Sequence, residues 1–109
     1  MSEVIITDEA IESIILNATL SVDGVFDTWR GIEEYIPYVN KDKKRPHGVD
    51  FVIQNNILSA NVFIVAKYGY DLRKIGAEVQ KNIKLRIETM TPFKVGKINV
   101  IIEDVKYEH

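Results

Sequence analysis

No cysteine occurs in the 109 residues, which excludes a disulfide framework, a thiolate zinc site and a cysteine nucleophile at once. Proline is nearly as scarce, with three in the chain. No long polar or repeated tract accompanies them, so the composition is neither that of a disordered segment nor that of a collagen-like or repeat array. No apolar run approaches the ~20 residues of a membrane-spanning helix. The segment from Met1 to Glu9 carries acids where a secretory signal would carry bases, so a cytoplasmic protein is expected. The six glycines stand at 24, 31, 48, 69, 76 and 96, too far apart for a phosphate-cradling loop. The two histidines, His47 and His109, are far apart in the chain, which leaves a metal site unsupported. Ser2, Ser13, Ser21 and Ser59 lie in no Gly-x-Ser-x-Gly elbow, so a hydrolytic triad is not expected. The acid pairs Asp8/Glu12, Glu33/Glu34 and Glu103/Asp104 read as helix-start, loop and strand-end charges. The sequence therefore predicts no enzyme, no cofactor and no small-molecule substrate.

Present instead are 46% hydrophobic residues and 9% aromatics, enough for one domain, residues 1–109, that buries roughly two-thirds of its unfolded surface. The net charge of −2 carries no general polyanion signal, but its distribution is uneven. Residues 1–29 hold six acids and no base, and all 14 bases lie from Arg30 onward with the other ten acids. A chain so divided can dock head to tail on itself or on a charged partner if the fold keeps the halves apart.

The elements follow from apolar spacing. Thr7 followed by Asp8 and Glu9 is a helix start, with a side-chain cap and two acids at the positive end of the helix dipole. Ile11, Ile14, Ile15, Ala18 and Val22 repeat at three and four residues, and Asp23-Gly24 supplies a left-handed stop, which predicts a first helix from Thr7 to about Ser21. Val25 to Trp29 reads as a short strand. From Gly48 the period changes to two: Val49, Phe51 and Ile53 alternate with Asp50, Val52 and Gln54, Asn55-Asn56 suits the positive φ angles of a tight hairpin, and Ile57 to Lys67 is the return strand. After the break at Tyr68-Gly69-Tyr70-Asp71 a second helix carries a stripe of Leu72, Ile75, Val79, Ile83, Ile87 and Met90. Thr91-Pro92 ends it, and Ile98, Val100 and Ile102 mark a last strand. The order is α-β-β-β-α-β, an α+β domain with two amphipathic helices on one face of a small, about four-stranded sheet.

Two features go beyond a packed core. The long aromatic and basic loop at about 30–47 follows Trp29 and holds Tyr35 and Tyr38 beside Lys41, Lys43, Lys44 and Arg45; aromatics with cations are enriched at binding surfaces. Either its rings fold back onto the core or they face a partner, with Trp29 read as core and Tyr35 and Tyr38 as the exposed pair. The second helix carries Arg73, Lys74, Lys81 and Lys84, which read as a solvated basic face or as a contact surface. A nucleic-acid module on that face is the alternative reading. It is disfavoured because Ile75-Gly76-Ala77-Glu78 lacks the second glycine of a KH-type clamp and no aromatic pair marks a base-stacking sheet.

The succession Ile11-x-x-Ile14-Ile15, Val22-Asp23-Gly24-Val25, His47-Gly48-Val49, Ala66-Lys67-Tyr68-Gly69, Val79-Gln80-x-x-Ile83, Ile87-Glu88-Thr89-Met90-Thr91 and Val95-Gly96-Lys97-Ile98-Asn99-Val100 resembles the alkaline shock protein family, the Gls-type general and envelope stress proteins of Gram-positive bacteria. The resemblance implies a small cytoplasmic α/β domain without catalysis, induced under alkaline and cell-envelope stress and in some members held at the membrane by a separate membrane-spanning partner. The partners it implies are a second copy, a related family member or a membrane-anchored protein. Two departures stand out: Pro92 replaces the glycine that usually follows the Met-Thr pair, and the stretch from Gly31 to Pro46 is longer and more aromatic than the family's short link.

Overall fold

The computed structural model describes residues 2–28 and 48–107. Helix α1 spans Asp8–Leu20, strand β1 Val25–Thr28, β2 Val49–Gln54, β3 Ile57–Lys67, helix α2 Leu72–Met90 and β4 Lys94–Lys106. The order is the expected α-β-β-β-α-β.

Local chemistry sets these boundaries. Thr7 Oγ1 accepts from the Ala10 N–H at 3.2 Å, and Asp8 and Glu9 occupy the first turn of α1, where the dipole favours negative charge. The helix closes at Ser21, and Gly24 follows at φ +96°, a left-handed conformation that glycine adopts without steric cost. Asn55 and Asn56 take φ of 54° and 62°, the two-residue turn that joins β2 to β3 with matching twist. Asp71 Oδ1 accepts from Arg73 N–H at 3.1 Å and Lys74 N–H at 3.4 Å, capping α2. At its other end Thr91 Oγ1 donates to the Ile87 carbonyl at 2.7 Å.

β3 is the centre of the sheet. Along one edge it pairs antiparallel with β2 through residues 57–62 and with β1 through residues 64–66, so these two strands lie end to end. Along the other edge it pairs with β4 over its whole length, in parallel, from Ile57↔Lys94 to Lys67↔Lys106. The sheet is therefore mixed, and α2 is the crossover that a parallel neighbour requires. β4 begins four residues before the Ile98 at which its apolar alternation becomes visible, and it takes up two irregularities. One extra residue falls between Val95 and Ile98, and Glu103 is extra between Ile102 and Asp104.

Both helices cover one sheet face. Leu58, Ala60, Val62, Ile64 and Ala66 of β3 join Ile11, Ile15 and Ala18 of α1 and Ile75, Val79, Ile83 and Ile87 of α2 in one core. The opposite face keeps Val52 58% and Ile57 48% exposed, although Val65 is buried there. Among the described residues every buried side-chain nitrogen and oxygen has a hydrogen-bond partner; the buried Thr19 donates to the Ile15 carbonyl at 2.7 Å.

Two glycines are expected to respond oppositely to alanine. A Cβ at Gly24 would stand 2.7 Å from Tyr70 Cδ2 and 2.8 Å from Ile75 Cδ1 at a positive φ, so Gly24→Ala should destabilise by about 2 kcal/mol or more. A Cβ at Gly76, inside α2, meets nothing within 4 Å, so Gly76→Ala should stabilise by about 0.5–1 kcal/mol through helix propensity. Denaturant unfolding of both variants measures the pair; equal shifts would contradict this reading.

Candidate functional site

The buried stripe of α2, Ile75, Val79, Ile83 and Ile87, decides where its charges go. At about 100° per residue, Arg73, Lys74, Lys81 and Lys84 fall within an arc of about 100° on the side away from that stripe. All four are exposed. Lys74 and Lys81 share one row along the helix and Arg73 and Lys84 the next, so the four expected site residues of this helix form one cationic face. Among the described residues no carboxylate is within ion-pair distance of any of them. The same geometry disposes of a KH-type clamp: residues 75–78 lie within α2, and Ile75 is buried.

Other α2 side chains are committed to holding the helix down. Asn82 Nδ2 donates to the Ala18 carbonyl at 3.1 Å and to Ser21 Oγ at 3.0 Å, tying α2 to the end of α1. Gln80 Nε2 donates to the Ile98 carbonyl at 3.1 Å, and Glu88 Oε2 accepts from the Val95 N–H at 2.9 Å. These two bonds join the helix to the backbone of β4. The acids of α1 are divided: Asp8 and Glu9 are exposed and Glu12 is half-buried.

Arg73 and Lys74 occupy the first turn of α2, where the only acid is the Asp71 cap, whose carboxylate is committed to their backbone amides. The positive end of the helix dipole disfavours cations at this position. Both side chains are exposed, which makes them candidates for contact with something anionic.

Trp29, Tyr35, Tyr38, Lys43 and Arg45, and the loop at 30–47 with them, lie outside the described residues. An aromatic pair that sequence reading passed over lies at the other end of the parallel strands: Tyr68 follows β3, Tyr107 follows β4, and their rings stack with centroids 4.2 Å apart. The signal that finds them is the register Lys67↔Lys106, which becomes available only once the two strands are known to be parallel. Tyr68 holds the exposed Tyr107 phenol neutral to a pH above its ordinary range. On the sheet face away from the helices, Asp50, Val52, Ser59, Asn61, Lys97 and Asn99 line a shallow depression of about 240 Å³, smaller than ordinary ligand pockets. Asn99 Nδ2 donates across it to Asn61 Oδ1 at 2.9 Å.

Among the described residues no three His, Asp or Glu side chains cluster to hold a metal, and no helix is long and apolar enough to cross a membrane. If the first-turn cations work against the helix, Lys74→Glu should raise stability by about 0.5 kcal/mol. Urea unfolding at low salt checks this, and a loss of stability would remove the case for them as costly, functional charges.

A search for related solved structures gives a fold likeness. The structure titled "MamM-CTD 215-293" superposes with a TM-score of 0.60 at 13% identity, covering 94% of this chain and all of that one. A copper form of a MamM CTD variant superposes at 0.61 and 15%, covering 90% and 98%. Identities this low show the shared fold alone. In sequence, the uncharacterized protein YqhY of Bacillus subtilis (strain 168) is 29% identical over 112 aligned positions, covering 99% of this chain and 80% of that protein. The model of the Asp23 family, described by a cell envelope-related function and named for a protein rather than for residue 23, matches residues 1–107. That match takes in the capped first helix, the hairpin, the cationic second helix and the final strand: the chain belongs to the Asp23 alkaline shock protein family.

Proposed function

We propose that this chain is a non-enzymatic interaction protein of the cell-envelope and alkaline stress response, acting in the cytoplasm by self-association or by docking onto a membrane-anchored protein. The observation that carries this reading is the face of α2: four exposed cations that have no ion pair among the described residues, two of them in the first turn of the helix. A surface of this kind suits an acidic partner. The first turn of α1 in a second copy, with Asp8 and Glu9, has that character, and so would an acidic segment of a membrane protein. Family membership supports the envelope setting, and the fold neighbours contribute no function. A single domain spanning residues 1–109 and a role for the aromatic loop at 30–47 in choosing the partner belong to the same proposal.

Nucleic acid would use the same cations. The helical placement of residues 75–78 and the acidic first helix favour a protein partner.

Light scattering on the purified protein, free of nucleic acid, tests the reading. Contacts between exposed charges weaken as the screening length falls below ~8–10 Å, so an assembly made through this face should shrink as salt rises past ~0.15 M, and the variant Lys81→Glu/Lys84→Glu should lose that assembly at every salt. A mass indifferent both to salt and to these substitutions, together with tight binding of duplex DNA or RNA, would replace the proposal with the nucleic-acid alternative.

A further inference from the structure

Among the described residues strand β4 is paired on one side only. Its inner edge is bonded to β3 along its length, both helices lie on one sheet face, and among the described residues no strand pairs with its outer edge. A 13-residue edge is long for a protein that must remain soluble, and such edges are usually guarded. Guards are present at the flanks. The Val95 N–H is taken by Glu88 and the Ile98 carbonyl by Gln80, and the Val105 N–H by Asp104 Oδ1 at 2.8 Å. Between these points no side chain of α1 or α2 is seen to bond the strand among the described residues. The run from Ile98 to Ile102 is regular and lies between the two irregularities. Since the Ile98 carbonyl turns outward to Gln80, alternation along the strand turns the backbone groups of Val100 and Ile102 outward as well.

We propose that this open run is a self-pairing edge: β4 of a second copy lies antiparallel to it about a two-fold axis at Val100 and joins the two sheets into one. The occupant is argued from the residues that the axis brings together. Val100 falls opposite Val100, Ile98 opposite Ile102, and Lys97 opposite Glu103, twice by symmetry. Lys97 and Glu103 are both exposed, so the charges at the two ends of the open run are opposite in sign in this alignment. The Ile98 carbonyl can keep Gln80 and accept a second bond, because a carbonyl oxygen has two lone pairs. Lys97 and Glu103 sit within the two irregularities, next to the regular run; Lys94 and Lys106, the like-charged pair that the same axis would oppose, lie on the far side of them, where bulges bend the strand away from its line. Half-buried Val100 and Ile102 would extend the core across the seam. Because the axis is perpendicular to the sheet, both α2 helices lie on the same side and their cationic faces form one wider surface. The inference thus deepens the interaction reading and rests on it.

The test combines charge exchange with amide hydrogen exchange on the full chain. Sedimentation should show a dimer forming across the micromolar to millimolar range. Lys97→Glu and Glu103→Lys should each weaken it about ten-fold, since each creates two like-charge oppositions. The double exchange Lys97→Glu/Glu103→Lys should restore it to within about three-fold of the parent. The amides of Val100 and Ile102 should be protected in the concentrated protein and exchange rapidly on dilution. A dimer in which those two amides exchange at the same rate at all concentrations, or in which the double exchange fails to rescue, would place the interface elsewhere and overturn the edge pairing. A monomer at millimolar concentration that still binds an acidic partner would overturn it while leaving the proposed function standing.

Discussion

Backbone pairing along both edges of β3 is the constraint on which the rest of the molecule depends. Its 11 residues bond β2 and β1 on one side and β4 on the other, and five of its side chains enter the core that both helices cover. The parallel partner demands a crossover, the crossover is α2, and α2 must then bury one stripe against the sheet. From that single requirement follows the position of the cationic face, because charges excluded from the buried stripe are left on the side facing solvent. Gln80, Asn82 and Glu88 fix the helix to β4 and α1 at three points, so the face is presented on a braced element rather than on a loop.

Much of this was legible in the sequence wherever the signal was local. The cap at Thr7, the left-handed Gly24, the positive-φ pair Asn55-Asn56 and the strand from Ile57 to Lys67 each show themselves within a few residues, and all are found as read. The strand order and the parallel direction of β4 were not legible, because pairing between residues 57 and 94 is a tertiary choice that no short window encodes. The early start of β4 at Lys94 was hidden for a related reason: Gly96 and the extra residue before Ile98 interrupt the two-residue alternation. Of the candidate site, Arg73, Lys74, Lys81 and Lys84 could be placed on one helix from spacing alone. What the sequence could not show was which neighbours they lack. The roles of Gln80 and Glu88 were equally hidden, since their partners lie 18 and 7 residues away and depend on the strand register.

The two unusual surfaces share a physical character. The first turn of α2 carries two exposed cations beside its Asp71 cap, and among the described residues the middle of β4 has no strand on its outer edge. On the proposed reading they serve association, the edge with its own copy and the charged face with something acidic; among the described residues no His, Asp or Glu cluster could hold a metal.

The most direct test of this account is an amide NMR titration of the isotope-labelled protein with an acidic peptide. The account predicts perturbations centred on Arg73, Lys74, Lys81 and Lys84, reversed when salt is raised. Perturbations confined to the opposite sheet face around Asp50 and Asn61, or none at saturating peptide, would contradict the claim that the exposed face of α2 is the working surface of the protein.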